Sequence, residues 1–226
     1  MLGLQHQFAA GLRAETDVQY AIKGSRGQRW NNLHFAQGNL DGACGICAFI
    51  QAACLLLQLP RVQAERLATS SRSPWRELWA KAQERFFDGT TWADMQSFAE
   101  AFAPQLECQI VRPRSMASVG ATAASAIRRG AVPLLQFDSA SWSHWSTVLG
   151  VELGGASHEV RALLTLDPEA PAPWTSFFNA RLDLNDRAKE SVRTKPPFQM
   201  PYRHGDGSCW AVKPRCLVIL SRAQAP

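Results

Sequence analysis

The stretch from Gly42 to Leu57 constrains this chain most. It opens between Gly42 and Gly45 and continues as a nearly unbroken apolar run through Ile46, Cys47, Ala48, Phe49, Ile50, Ala52, Ala53, Cys54 and Leu55. A helix that is apolar all round must be buried, so the remainder of the chain has to enclose it. Pro60 stops the run and predicts a helix over 44–59. Two cysteines fall in its first turn. Backbone N–H groups at a helix start lack partners and carry partial positive charge, which pushes a thiol toward the nucleophilic thiolate. Cys44 is therefore a candidate nucleophile, and later segments must supply its base.

At 226 residues, 46% apolar and 19% charged, the chain is long and apolar enough for one well-buried globular domain. Its net charge of +5 comes from scattered arginines without a basic run. That reads as a solvated surface, with no nucleic-acid partner implied. Residues 1–7 show no basic block followed by an apolar block, so no cleaved secretory signal is recognised. No stretch reaches membrane-spanning length. The expected location is cytoplasmic, or outside the cell by a route without a cleaved signal. The six cysteines, at 44, 47, 54, 108, 209 and 216, lack the spacing of a disulfide framework. Reduced thiols are expected, most of them small core residues.

The chain changes period halfway. Residues 1–36 read as a lead-in, with a short helix over 9–22. Helical patches follow at 44–59, 62–69, from Pro74 toward Phe87, and after Thr91, where Asp94 completes a capping-box pattern. Strand-length runs then dominate: 106–111, 132–137, 145–153, 160–166 and 216–220, with a small-residue helix over 121–129. The three middle runs are joined by short polar turns and read as an antiparallel meander. Residues 169–208 read as an insertion or long loop, with a hairpin near 177–184. The predicted architecture is one α+β domain over 1–226: a helical half with the central nucleophile helix, packed on an antiparallel sheet, with a cleft between.

Thiol catalysis needs a base and a group to orient it. Among His6, His34, His144, His158 and His204, His144 stands at the mouth of a strand-length run. The next run ends at Asp167-Pro168. In a hairpin the start of one strand lies beside the end of the next, so Asp167 is predicted as His144's cross-strand neighbour. The Cys44 N–H is one oxyanion donor; Gln37, or its competitor Asn39, offers a side-chain amide for the other. Trp142 and Trp145 flank the histidine. His204 lies in what reads as a loop over 202–207.

Gln37 ahead of Cys44-Gly45 and its apolar helix, His144-Trp145 with Val148-Leu149-Gly150-Val151, and Leu164-Thr165-Leu166-Asp167-Pro168 together resemble the papain-like cysteine peptidases. The closest resemblance is to the bacterial bacteriocin-processing, or double-glycine leader, peptidase branch, and it covers roughly residues 37–168. It implies a papain-like fold and hydrolysis of peptide bonds through a Cys-His-Asp catalytic triad, with a protein or peptide as substrate and no cofactor or metal. Carried over, Cys44 is nucleophile, His144 base, Asp167 orienter and Gln37 oxyanion donor. The Cys44-Gly45-Ile46-Cys47 pattern also resembles the plant and animal papain signature, which would make Cys47 the nucleophile. The same machinery serves deamidases, transglutaminases and acyltransferases, and toxin-like effectors use it. A non-catalytic binding module is the class-distinct alternative. The Cys44/Cys47 spacing also admits zinc or redox use. Oligomeric state is not legible.

Overall fold

The computed structural model describes residues 5–15, 17–24, 27–38, 42–154, 159–185 and 200–223. In chain order these form β1 (Gln5–Phe8), β2 (Leu12–Ala14), β3 (Val18–Gly24), β4 (Gly27–Asn32), α1 (Cys44–Leu57), α2 (Arg61–Glu65), α3 (Trp75–Ala82), α4 (Arg85–Asp88) and α5 (Trp92–Glu100). Then come β5 (Leu106–Val111), α6 (Met116–Arg128), β6 (Val132–Asp138), β7 (Ser143–Leu153), β8 (Val160–Leu166), β9 (Ala180–Asp183), β10 (Met200–His204) and β11 (Cys209–Arg222).

The strands overturn the expected papain-like α+β architecture of a central helix on a sheet. Strands β7, β6, β11, β10, β9 and β8 pair in that order, and β8 pairs back to β7, closing a six-stranded antiparallel barrel. Strand outweighs helix, and six helices accompany the barrel. Two observations account for the difference. The stretch that reads as an insertion contributes β9 and β10, which bridge β8 to β11 and complete the ring. The lead-in that reads as a helix is instead a small sheet, β2-β3-β4. There Val18, Tyr20 and Ile22 alternate inward, a period of two that overrides the helical reading. The 132–166 meander does form, as β6-β7-β8.

Barrel strands are apolar on both faces because both are covered. Leu135, Phe137, Val148, Val151, Leu163, Leu182 and Leu217 fill the interior with α6. The alternate residues Leu134, Trp145, Leu149, Leu166 and Val218 pack outward on the helical layer. Helix α6 approaches the barrel so closely at Gly120 that a Cβ there would meet Val160 at 2.8 Å. Ser115 caps it reciprocally with Ser118, and α5 carries the predicted Thr91/Asp94 capping box.

Helix α1 is the core of the helical layer. Phe49, Ala52, Ala53 and Cys54 are wholly buried, and Phe49 packs against Phe98 and Phe102 of the α5 region. Its buried Gln51 reaches Thr147 of β7 at 2.7 Å and the backbone of Phe35 at 3.3 Å. These contacts fix the helix against the barrel strand that carries His144.

Candidate active site

Cys44 is the first residue of α1 and is 7% exposed. Ala43, at the N-cap, makes no side-chain capping bond, and the first turn holds no acidic residue. The first N–H groups of that turn precede the earliest intrahelical bond, which runs from the Cys47 N–H to the Ala43 carbonyl at 2.9 Å, and they give the helix start partial positive charge. Gly45 is required by close packing: a Cβ there would lie 2.5 Å from the Cβ of Thr90. Thr90 is in turn tied to the barrel, because the Trp145 indole N–H donates to its carbonyl at 2.7 Å. Trp145 is thus core and not a groove wall. Gly42 donates its N–H to the carbonyl of Phe86 at 2.5 Å, setting the approach to the helix.

His144 lies near the start of β7, at the mouth of the barrel, and is 4% exposed. Its Nε2 is 2.9 Å from Oδ1 of Asp167. The β7–β8 ladder ends at the pair Thr147–Leu166, and Asp167 reaches His144 just beyond it. With Nε2 taken, Nδ1 is the ring nitrogen not bonded to Asp167; Cys44 lies within electrostatic reach of the ring, and its sulfur stands 4.0 Å from the carbonyl oxygen of Gly42. Burial alone would lower the imidazole pKa. The Asp167 carboxylate, then Cys44, outweigh it and hold the value well above the ordinary 6.5. The carboxylate of Glu169 stands 3.9 Å from Nδ1 on the open side, with a half-exposed side chain.

Asp167 has no solvent exposure. Asn179 clamps its backbone from both sides, accepting from its N–H at 2.6 Å and donating to its carbonyl at 2.8 Å. The same carbonyl lies 3.0 Å from Nε2 of His34. Its Oδ1 also accepts the N–H of Glu169 at 2.7 Å. Burial pushes the carboxyl pKa up, but the charge and hydrogen bonds of His144 and His204 prevail and hold it far below the usual range. It is an ionised carboxylate saturated by donors.

Gln37 is half-buried beside this segment: its N–H donates to the carbonyl of Pro168 at 3.0 Å, and its Oε1 is buried without a partner. Asn39 and His158 lie outside the described residues. Cys47, one turn along α1, is half-exposed. None of the six cysteines forms a disulfide. Burial pushes the thiols of Cys54, Cys108 and Cys216 up to about 12, 11 and 11, so these stay protonated at neutral pH. Trp142 is half-buried and stands edge-on to His144 with ring centroids 6.0 Å apart. A cavity of about 510 Å³ opens beside Ser143, between Trp92 of α5 and Arg112 and Arg215 of the barrel side.

One group of possible metal ligands occurs among the described residues: His144, Asp167 and Glu169, with ligand atoms within 4.8 Å of one another. The fit is poor, because Nε2 of His144 and Oδ1 of Asp167 already bind each other and Oδ2 is held by Tyr202. No such group includes Cys44 or Cys47, so the paired-cysteine spacing gathers no further ligands among the described residues.

Residue-by-residue reading missed His34, Glu169, Asn179 and Tyr202, and left His204 in a loop. His204 closes β10, buried, with Nε2 3.4 Å from Oδ2 of Asp167. A Tyr-x-His pattern at strand period was the available signal, since Tyr202 and His204 face the same side. No protein-family model matches the chain, and no curated protein matches it. Among the described residues no helix is long and apolar enough to cross a membrane.

Proposed function

We propose that this protein is a cysteine peptidase, a thiol hydrolase that works through Cys44, His144 and Asp167. One observation carries the reading: Asp167 holds the ring of His144 through Nε2, leaving Nδ1 unbonded to it, and Cys44 lies within electrostatic reach of that ring. In the mechanism, His144 takes the thiol proton and the Cys44 sulfur attacks a substrate carbonyl carbon. Negative charge gathers on the carbonyl oxygen, where the Cys44 N–H and the Gln37 amide are the candidate donors. The tetrahedral intermediate collapses, the C–N bond breaks, and His144 passes its proton to the departing amine. Water, deprotonated by the same histidine, then attacks the thioester, and the acid product leaves with Cys44 regenerated.

The motif resemblance to leader peptidases favours a peptide bond as the target. Deamidation or transfer to an amine would use the same first step, with the leaving group or the final acceptor changed.

The test needs no known substrate. Iodoacetamide should alkylate Cys44 selectively at about pH 6, well below the ordinary thiol pKa of about 8.5. Peptide mapping locates the label. Modification confined to Cys47, or a wild-type rate no faster than that of His144→Ala, would overturn the assignment. Peptide-bond cleavage itself is read by profiling a proteome-derived peptide library with wild type against Cys44→Ala.

A further inference from the structure

Asp167 is bonded on both of its oxygens, and only one of them serves His144. Its Oδ2 accepts the hydroxyl proton of Tyr202 in a short hydrogen bond and lies 3.4 Å from Nε2 of His204. Both side chains come from β10, on the far side of the barrel ring from β7. Tyr202 is 1% exposed and His204 8%. Neither is loosely held. The Tyr202 ring packs on Phe137 at 4.4 Å and His204 on Trp210 at 4.5 Å. The Tyr202 oxygen also lies 3.0 Å from Oγ1 of Thr165. Its own proton is committed to Asp167, so the Thr165 hydroxyl must be the donor in that contact, and the chain of donors runs in one direction toward the carboxylate. Burial and the nearby carboxylate raise the phenol pKa, which keeps the donor in place.

We propose that Tyr202 and His204 are positioning residues, which clamp Oδ2 of Asp167 from β10 and so keep Oδ1 aimed at His144. This rests on the thiol-hydrolase reading above. A carboxylate bound on one oxygen alone can rotate about its Cβ–Cγ bond and lose the in-plane bond to the imidazole. One bound on both cannot. The ionisable groups around the pair are Cys44 and Glu169 at His144, and His144, His204, Tyr202 and His34 at Asp167. Loss of the clamp weakens the hold on the imidazolium, so the proton shared by the pair returns to sulfur and the unreactive thiol–imidazole form gains at the expense of the thiolate–imidazolium form.

The experiment is the rate of Cys44 alkylation by iodoacetamide on the full chain, followed between about pH 4 and pH 9. Tyr202→Phe preserves the ring and removes only the donor. It is expected to slow alkylation at about pH 6 by up to roughly tenfold, because each unit lost from the hold on the imidazolium returns the proton to the thiol tenfold more often, with little change near pH 9. His204→Gln should slow it in the same range by less. In an Asp167→Asn background Tyr202→Phe should add nothing, because the residue acts through the missing carboxylate; a merely structural role would give additive losses. Profiles of Tyr202→Phe and His204→Gln that superimpose on wild type, while His144→Ala loses the low-pH reactivity, would overturn the clamp and leave the hydrolase reading intact. A His144→Ala profile identical to wild type would sink the hydrolase reading, and the clamp with it.

Discussion

Cys44 stands in the helical layer, whereas His144 and Asp167 stand at the mouth of the barrel, and the two regions build their shares of the site by different means. The cysteine is placed by local structure. It needs a helix start, an apolar helix behind it to bury the axis, and Gly45 to admit Thr90. The histidine and aspartate depend on register between strands, and then on a third strand, β10, from much later in the chain. Local placement positions the thiol; non-local placement positions the imidazole and carboxylate proposed to act on it. The contact between the two regions, at Trp145 and Thr90, joins the requirements.

The comparison breaks most sharply at the thiol itself. Cys44→Ser is expected to abolish alkylation and any peptide cleavage, by about a thousandfold or more. Cys47→Ser, on the same helix turn sequence but away from His144, should leave both within about twofold of wild type. Equal losses would mean that the helix start, and not the partner from the barrel, sets reactivity.

Next in size is Asp167→Asn, which attacks the barrel's contribution. Thiol reactivity at about pH 6 should fall roughly a hundredfold, and the fold should lose about 3 kcal/mol, because buried donors lose an ionised acceptor. The pH dependence has a definite sign. Asp167 has a depressed folded pKa, so its stabilisation is fully present above 3.8 and is lost as pH falls from there. His144 has a raised folded pKa, so its stabilisation is fully present below 6.5 and is lost as pH rises through its folded value. The stability gap between wild type and Asp167→Asn, measured by urea denaturation, should therefore be widest between these two limits and shrink on both sides.

Smaller effects probe the joint between the regions. Gly45→Ala puts a Cβ 2.5 Å from Thr90 and should cost about 3 kcal/mol, the upper end of ordinary overpacking. Trp145→Phe removes one buried hydrogen bond and should cost about 1 kcal/mol in the same assay. If Trp145→Phe slows Cys44 alkylation as well, the joint transmits position between the layers. An unchanged rate would show that α1 and β7 hold their relation through their packing and the bonds of Thr147 to Gln51 and to the Ala48 carbonyl, without the Trp145–Thr90 bond.

The same contrast explains what was legible in the sequence. Helix α1, the α5 capping box, the β6-β7-β8 meander and the pairing of His144 with Asp167 all follow from patterns within short windows. The barrel did not. Its closure depends on β9 and β10, only four and five residues long, set among prolines and polar residues with no strong alternation. Short strands gain their stability from neighbours on both edges, and those neighbours are distant in sequence. The lead-in failed for a different reason: Val18, Tyr20 and Ile22 fit a strand, but the surrounding Ala and Arg residues favour a helix when read alone. Tyr202 and His204 could be seen in the sequence as a Tyr-x-His pair, yet nothing there says which carboxylate they meet.

The order in which the ribosome delivers these parts gives the barrel closure a temporal meaning. The thiol-bearing helix emerges before the strands that place His144 and Asp167, and the strand whose Tyr202 holds the second oxygen of Asp167 emerges after them. On the proposed reading, completion of the ring is therefore the event that finishes the acid–base apparatus, and a partly made chain would carry its thiol without the full means to arm it.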